Sequence, residues 1–516
     1  MKTFAQLLPM HSLDLRKTLR FLLIGAPFVS LLLWFYFKVF QLQYLNEDFT
    51  DGLVALQLSK SWLDGRPLLY DTHSGFHWLQ HNYYFILLVG FVTKWTGIYG
   101  LFIVYLSLLA LFLSKWLRWL KKYQKNNWFN EWVAVCGLVI GPIAYHIFLD
   151  YVGWHPEQYF IPLMGLLALS LAMRQWYWAL FWGLLTFSVK ETSMVLICGL
   201  FLFASVVSFI LKNPNQTWYS YYFNRRNLII IAICLALFCL GMWWLSYLNG
   251  DQSSRITRIL DRIEEKNTGN KLIYYTLAAA FISGIITLFA TIPFILWLRR
   301  IPKGRLILGF IVGFFLLLSV VFYIEGLYYF PAIGAGIRNP PRIGGLWAYM
   351  MSCYVFLVVR ASEAGYQTYK YQREWIFCGI LLQFILSPVV VSNNDRYHGS
   401  ISDINKNLLF ITTHKLGIQP YPEGTSHLLY KLAKKLPAGA EVICESEYIN
   451  IFQNAYARPW ICDDGIYPPI ITRPLLYIHN KKRSRKGNCY DLPTEGYIAV
   501  PNSEVLILAD SVWYSH

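Results

Sequence analysis

Acidic residues at the start of the first long polar segment are the first candidates for chemistry. Asp48 and Asp51 directly follow an apolar block, and an apolar pattern typical of an amphipathic helix continues over residues 53–63. Carboxylates beside apolar walls at a bilayer surface suit a general base or a metal ligand. Helix capping and the favourable placement of negative charge at a helix N-terminus explain the same residues without any chemistry.

Cationic residues later in the chain suit the binding of a phosphate. Lys190 and Glu191 form a charged dyad between two apolar blocks, where charge is expensive unless it is paired or lines a wet cavity. An ordinary ion pair near the membrane interface is the alternative. Arg338 and Arg342 fall on an outer loop in the predicted topology, where positive-inside statistics disfavour them, so phosphate binding becomes more attractive.

Histidines and one further carboxylate complete the candidate set. His81 ends a group with His73 and His77, but this spacing matches no strong zinc pattern, and aromatic interfacial belts explain much of the segment. His155 and Glu157 flank a proline, where capping is the simpler reading. We therefore predict no metal site and no certain cofactor, although a divalent metal remains an open alternative.

Composition defines the class of protein that must position these residues. The chain has 516 residues, of which 56% are hydrophobic and only 14% are charged. Soluble proteins carry about 25% charged residues, so the soluble and disordered classes are excluded. The formal charge of +16 is concentrated before Ser392, as expected when basic residues stay on the cytoplasmic side of a membrane. Nucleic acid is not an expected partner.

Charge and hydropathy predict a multi-pass, all-α membrane domain with a cytoplasmic N-terminus. Residues 83–95 are interpreted as an interfacial helix, because the basic run that follows residue 114 requires an odd number of crossings. Segments 159–173 and 176–189 are short, so a buried hairpin remains an alternative there. The eleven predicted spans are 21–40, 98–114, 132–149, 159–173, 176–189, 192–211, 228–248, 272–298, 306–324, 347–359 and 375–391.

The two predicted domains are residues 1–392, in the membrane, and 393–516, a small extracytoplasmic α/β domain. Strand-like runs occur at 441–444, 497–500 and 504–509, and residues 426–436 have the pattern of an amphipathic helix. Cys444, Cys462 and Cys489 allow one disulfide in an oxidising compartment, with the pairing open. The plasma membrane of a prokaryote is the expected location.

Outer carboxylates, several cations and a lipid-facing helix together suit transfer from a lipid-linked phosphate donor. Here the sequence resembles the GT-C superfamily of integral-membrane glycosyltransferases, in a prokaryotic branch related to protein mannosyltransferases and aminoarabinose transferases. The similar motifs are Asp51-Gly-Leu-Val-Ala-Leu-Gln-Leu-Ser-Lys-Ser-Trp, Gly65-Arg-Pro-Leu-Leu-Tyr-Asp, His81-Asn-Tyr-Tyr-Phe-Ile-Leu-Leu, His155-Pro-Glu157, Ser188-Val-Lys-Glu-Thr192 and, in the tail, Leu436-Pro-Ala-Gly-Ala-Glu-Val-Ile-Cys. Prolines common in the second juxtamembrane segment of the superfamily are missing here. The acidic residue at the start of the first outer loop is doubled, as Asp48 and Asp51.

The resemblance implies an inverting enzyme that transfers a sugar from a polyprenyl-phosphate donor to an acceptor on the outer face. Asp51 or Asp48 would take the proton of the acceptor hydroxyl, and Lys190, Arg338 and Arg342 would offset charge on the leaving phosphate. Residues 83–95 and 53–63 would form a lateral gate for the lipid. The alternatives are a transporter or flippase of an anionic lipid or glycan, and a non-catalytic envelope assembly protein.

Overall fold

The protein is mostly helical, with a small sheet in its C-terminal region. The structure is a computed structural model. It describes residues 51–72, 75–76, 81–124, 155–212, 225–248, 304–314, 340–365, 425–452, 454–459, 470–480, 492–493, 495–502 and 505–515, together with single positions between 25 and 32, between 128 and 139, and at 298 and 317.

The main helices of the described residues are α1 (Asp51–Lys60), α2 (Tyr84–Thr96), α3 (Tyr99–Tyr123), α4 (Phe160–Ala172), α5 (Trp176–Phe187), α6 (Ser193–Lys212), α7 (Arg225–Leu248), α8 (Pro340–Glu363), α9 (Thr425–Lys435) and α10 (Ser511–Tyr514). The strands are β1 (Tyr70–Asp71), β2 (Gly75–Phe76), β3 (Glu441–Cys444), β4 (Tyr456–Pro459), β5 (Leu476–Asn480), β6 (Tyr497–Val500) and β7 (Val505–Asp510).

Helix α1 corrects one expectation, since it is not a surface helix with a wet face. Residues 52–60 are all buried, and the helix packs against α2. A Cβ built on Gly90 of α2 would collide with the backbone oxygen of Ser59, so glycine permits the close approach. The Ser59 and Thr93 hydroxyls form a 2.6 Å hydrogen bond across this contact. A lateral gate built from residues 53–63 is therefore not supported, because α1 is enclosed by protein.

The break between α2 and α3 agrees with the predicted division of residues 83–114 into two helices. Gly97 has a φ of +61°, a backbone region that favours glycine. The two helices pack against each other after this turn. Helix α3 continues beyond the predicted end of its span, and its last turns carry the basic run.

Helix α4 lies at the centre of the described bundle. All of its 13 residues are buried, as expected for a helix that is apolar on every face. It packs against α3, α5 and α8. With 13 residues in α4 and 12 in α5, the helices are about 20 and 18 Å long, short of the roughly 30 Å hydrocarbon core. Their lengths are those of the hairpin alternative, but only α4 is buried, because α5 leaves apolar side chains such as Tyr177 and Leu180 exposed.

Two helices of the described residues are long and apolar enough to cross a membrane by length and composition. They are α3 and the Ser193–Leu211 part of α6, which gives weak support for membrane association. The predicted count of eleven crossings is not supported. Predicted spans 21–40, 132–149, 272–298 and 375–391 lie wholly or mostly outside the described residues.

The C-terminal region forms a five-stranded mixed sheet with the order β4-β3-β5-β7-β6. Strand β3 is parallel to β4 and β5, whereas β7 is antiparallel to β5 and β6. The predicted strands and α9 are present within one or two residues, and β4 and β5 were not predicted. The Cys444 thiol is free and buried; Cys462 and Cys489 lie outside the described residues, as does the proposed domain boundary at 392.

Candidate functional site

Four charged or titratable side chains from three chain segments meet at one end of the helix bundle. We call His81, Glu157, Lys190 and Glu191 the Lys190 cluster. His81 precedes α2, Glu157 lies in the 3₁₀ turn Pro156–Tyr159 before α4, and the other two lie in the turn between α5 and α6. All four are less than 9% exposed. Buried charges persist only when they are paired and hydrogen-bonded, which the distances below show.

The Lys190 ammonium pairs with Glu157 rather than with its neighbour in sequence. Nζ of Lys190 donates a 2.8 Å hydrogen bond to Oε1 of Glu157, and the Tyr83 hydroxyl donates a 3.2 Å bond to the same oxygen. Oε2 of Glu157 is buried and has no hydrogen-bond partner among the described residues. One carboxylate oxygen of the cluster thus keeps an open bonding position.

Glu157 is ionised at neutral pH despite its burial. Burial raises the pKa of this carboxyl, but the nearby Lys190, His155 and His81 and the hydrogen bond from Lys190 together lower it to about 2. His155 is itself buried just before the turn. The predicted roles of Glu157 and His155 as capping residues are therefore incomplete, because Glu157 also binds a cation from a distant segment.

Glu191 is held by the segment that precedes α2. Nδ1 of His81 lies 2.9 Å from Oε1 of Glu191, and the backbone N–H of Asn82 donates a 3.1 Å bond to Oε2. An ionised carboxylate can only accept, so a neutral His81 ring carries its proton on Nδ1. The predicted Lys190–Glu191 dyad is thus corrected: each residue pairs across the fold, since adjacent residues in a turn do not face each other.

Backbone contacts fix the relative positions of these segments. The N–H of Phe85 donates a 2.6 Å bond to the Ser188 carbonyl, which joins the first turn of α2 to the end of α5. The Ser193 hydroxyl donates to the Lys190 carbonyl at 2.6 Å. The turn that presents Lys190 and Glu191 is therefore held at both ends by hydrogen bonds.

Helix α8 brings its first turn to the same end of the bundle. It packs against α4 and against the Glu157 turn, and Oε2 of Glu363 at its far end lies 4.0 Å from Nη2 of Arg174, just beyond α4. At about 1.5 Å per residue, Arg342 is roughly 31 Å from Glu363 along the axis and Glu157 roughly 26 Å from Arg174. The backbone of Arg342 thus lies near the level of Glu157.

The remaining predicted site residues are placed only in part. Asp51 begins α1 and Arg342 lies in the first turn of α8, but their side chains are outside the description. Asp48 and Arg338 lie outside the described residues altogether. Among the side chains that the structure describes, no group of three or more His, Cys, Asp or Glu could hold a metal ion.

A second buried ionic network was not predicted. We call Arg66, Tyr70, Glu441 and Arg458 the Glu441 cluster; it joins the segment after α1, residues 61–72, to the C-terminal sheet. Oε1 of Glu441 accepts a 2.6 Å bond from Nη1 of Arg66, and Oε2 accepts a 2.9 Å bond from Nε of Arg458. The backbone N–H groups of residues 471 and 472 also donate to Oε1, at 2.9 and 3.1 Å. Both carboxylate oxygens are therefore satisfied.

Further contacts close this junction. Arg458 donates to the Tyr70 hydroxyl at 2.6 Å, and burial raises the pKa of Tyr70 to about 12 although Arg458 opposes the shift, so the phenol keeps its proton. The Arg66 guanidinium lies 3.8 Å from the ring centroid of Tyr456. The Thr72 hydroxyl donates to the carbonyl of Ala457. These contacts show why the Gly65–Asp71 motif matters: it is the docking segment for the sheet.

One sequence signal could have found the Glu441 cluster. Arg66 is a lone arginine on a predicted outer loop, where positive-inside statistics disfavour it, and the same argument singled out Arg338 and Arg342. Its partner lies 375 residues away, so no local pattern identifies it.

Comparison with known proteins adds no identification, since no family model, no curated protein and no solved structure matches this chain.

Proposed function

We propose that this protein is a membrane glycosyltransferase that moves a sugar from a polyprenyl-phosphate donor to an acceptor on the outer face of the membrane. The observation that carries the proposal is the Lys190 cluster: a lysine, two carboxylates and an imidazole gathered in a buried position at the ends of apolar helices. Such a site offers preorganised charge in a low-dielectric setting, where it acts most strongly on a phosphate.

In the proposed reaction the acceptor hydroxyl oxygen forms a bond to the anomeric carbon as the bond from that carbon to the phosphate oxygen breaks. The acceptor proton passes to Asp51 or Asp48, and the polyprenyl phosphate leaves with the electron pair. Lys190 has three N–H donors, so it can donate to the leaving phosphate while it keeps its bond to Glu157. Arg342, at the same end of the bundle, and Arg338 supply further positive charge.

Glu157 and the His81–Glu191 pair are positioning residues in this scheme. Glu157 fixes the Lys190 ammonium, and the Tyr83 hydroxyl donates to the same Glu157 oxygen. Glu191 ties the Lys190 turn to the segment before α2 through His81 and Asn82. Because these groups are already ordered, the site needs little reorganisation when a phosphate enters.

The test is mass spectrometry of envelope glycans and glycolipids from cells that lack the protein or express single variants. We expect loss of one glycan modification in the deletion, restoration by the wild type, and no restoration by Asp51→Asn combined with Asp48→Asn or by Lys190→Gln. Glu363→Gln, at the opposite end of the bundle, is the matched control and should restore it. Unimpaired modification with both acids replaced would end this assignment.

A transporter or flippase would give a different result in purified form. Proteoliposomes that contain a radiolabelled polyprenyl-phosphate mannose or aminoarabinose, together with an envelope extract as the source of the acceptor, measure both outcomes. The transferase releases polyprenyl phosphate as the sugar is transferred, whereas a flippase moves the intact donor between leaflets. Movement without cleavage would select the flippase, and neither movement nor cleavage would favour an assembly role.

A further inference from the structure

A basic pocket lies at the end of the bundle opposite the Lys190 cluster. It has a volume of about 430 Å³ and is lined by Lys115, Arg118, Trp119, Lys122, Tyr123 and Trp178, together with the last turn of α4 and the residues after it. Glu157 lies just before the N-terminal end of α4, whereas this pocket adjoins the C-terminal end of α4. The roughly 20 Å length of α4 therefore separates the two sites. Nothing in the proposed transfer reaction uses this pocket.

Three cations of α3 share one face toward the pocket. Lys115, Arg118 and Lys122 are spaced at i, i+3 and i+7, which brings side chains to the same side of a helix. None of the three forms an ion pair with a carboxylate in the described part of the chain. Nearby, Glu363 is bound instead by Arg360 and Arg174. The pocket therefore presents uncompensated positive charge, which an anion would neutralise.

Aromatic rings lie beside the two lysines, and they do not neutralise the ammonium groups. Nζ of Lys115 lies 4.8 Å from the ring centroid of Trp178 and 5.5 Å from that of Trp182. Nζ of Lys122 lies 4.9 Å from the ring of Tyr123. These contacts hold the ammonium groups in place while leaving their charge available. Gln175, the N-cap residue of α5, also lines this pocket. The N-terminus of a helix carries a partial positive charge, so the α5 dipole favours an anion there.

An exposed apolar stripe on α5 begins beside the basic pocket. Tyr177, Leu180, Phe181 and Leu184 follow the i, i+3, i+4, i+7 pattern of one helix face and are 91%, 63%, 46% and 55% exposed. A contiguous apolar face of this kind marks contact with a membrane or with another protein. Here it is continuous with a basic, Trp-rich and Tyr-rich end, the pattern of a membrane–water interface.

From this combination we infer that the basic pocket binds the phosphate headgroup of an anionic phospholipid whose acyl chains lie along the α5 stripe. A lipid phosphodiester carries one negative charge, which the three cations and the α5 N-terminus stabilise. Basic pockets between helices are suited to such headgroups. The apolar stripe distinguishes a lipid from a free phosphate, because only the lipid also covers that surface.

The experiment uses the full chain purified in detergent, with lipid binding measured by native mass spectrometry. The probes are palmitoyl-oleoyl phosphatidylglycerol and phosphatidylcholine with the same acyl chains. We expect selective retention of phosphatidylglycerol. The triple variant Lys115→Gln, Arg118→Gln, Lys122→Gln should weaken it about 100-fold, since each cation near an anionic headgroup contributes about fivefold.

The matched control removes the same charge from exposed positions of α9, by Lys431→Gln, Lys434→Gln and Lys435→Gln, and should bind like the wild type. A milder variant, Lys115→Arg with Lys122→Arg, keeps the charge and should retain most of the binding. It separates loss of charge from misfolding as the cause of weaker binding in the triple variant. Equal retention of both lipids, or equal loss in the α9 control, would overturn the inference.

Competition with soluble phosphate compounds distinguishes a lipid headgroup from a free phosphate. Inorganic phosphate and glycerol phosphate, added at the concentration of the lipid, should displace little phosphatidylglycerol. Leu180→Ser with Leu184→Ser should weaken lipid binding severalfold while leaving any glycerol phosphate binding unchanged. Full displacement by inorganic phosphate would show a free-anion site and refute the lipid assignment. Because none of these measurements involves sugar transfer, their outcome is independent of the proposed function.

Discussion

The Lys190 cluster and the Glu441 cluster are both buried ionic networks, but they differ in how completely their carboxylates are bonded. Glu441 accepts bonds from two arginines and two backbone N–H groups through its two oxygens. Glu157 accepts two bonds on Oε1, and its Oε2 has no partner among the described residues. A fully satisfied network resists any new ligand, whereas an incomplete one leaves a bonding position for it.

The bonding partners differ in kind as well. Arginine forks and backbone groups hold Glu441, and these are rigid donors suited to structure. A lysine, a tyrosine hydroxyl and an imidazole surround the carboxylates of the Lys190 cluster, and these can exchange partners or protons. We interpret the first network as a structural clamp and the second as a site for chemistry.

The largest expected effect tests the clamp. Glu441→Ala leaves Arg66 and Arg458 buried without their carboxylate, and breaking a buried ion pair in this way costs about 3–5 kcal/mol. We expect the free energy of unfolding of the purified protein to fall by that amount, with proteolysis at the junction between residues 61–72 and the sheet. A loss below about 1 kcal/mol would remove the distinction between the two clusters.

The next prediction concerns pH. The pKa of Glu157 is about 2 in the folded protein, below its ordinary value of 4.5, so its ionised form stabilises the fold above pH 4.5. That stabilisation is lost as the pH falls toward 2, because the unfolded chain takes up the proton first. The difference in unfolding free energy between wild type and Glu157→Gln should shrink by roughly 3 kcal/mol across this range. A difference independent of pH would contradict the Lys190–Glu157 pair.

A double-mutant cycle separates structure from function in the Lys190 cluster. Lys190→Met and Glu157→Gln should each destabilise the protein, and the double variant should recover about 1–3 kcal/mol of coupling energy. Sugar transfer should remain absent in the double variant, since the cation for the phosphate is gone. Recovery of both stability and transfer would identify the pair as a structural contact like the Glu441 cluster.

The smallest effect belongs to a pair near the surface. Nζ of Lys94, on a side chain that is 38% exposed, lies 3.2 Å from Oδ1 of Asp64. Such exposed pairs contribute about 0–1 kcal/mol. Lys94→Gln should therefore change the unfolding free energy, measured in denaturant, by no more than that. A loss of unfolding free energy as large as that of Glu441→Ala would show that the exposure of an ion pair does not predict how much it stabilises the fold.

Local patterns predicted several elements of the C-terminal region well. The short apolar runs of β3, β6 and β7 and the amphipathic pattern of α9 were located to within one or two residues. Strand β4 was missed because Arg458 and Pro459 interrupt its short apolar pattern, and it is formed by pairing with β3. Its arginine is buried only because Glu441 lies beside it.

Helix α1 shows why the first long polar segment was harder to predict. Its polar residues suggested a wet face, yet Gln57 is fully buried and its side-chain oxygen accepts a 2.8 Å bond from the backbone N–H of Thr72. Lys60 is also buried, which lowers its pKa against the opposing charge of Asp64, and its ammonium lies 5.5 Å from the ring of Tyr456. The C-terminal sheet covers this side of the loop, and a sequence window cannot contain a contact to residues nearly 400 positions later.

The candidate site was predicted as a set of residues but not as a set of pairs. Lys190, Glu191, Glu157 and His81 were singled out because charge and imidazole at the ends of apolar blocks are unusual. Sequence adjacency then suggested a Lys190–Glu191 pair, whereas the fold pairs Lys190 with Glu157 and Glu191 with His81. The placement of Asp48, Asp51 and Arg338, and of the Arg342 side chain, relative to them stays a prediction.

The long separation of Arg66 from Glu441 also bears on biosynthesis. A ribosome adds about 5–20 residues per second, so the 375 positions between them correspond to roughly 20–75 s of translation. During that interval the nascent segment around Arg66 has its guanidinium but not the carboxylate that will neutralise it. This segment can therefore reach its final form only after the strand that carries Glu441 has emerged, which makes its completion a late event of assembly.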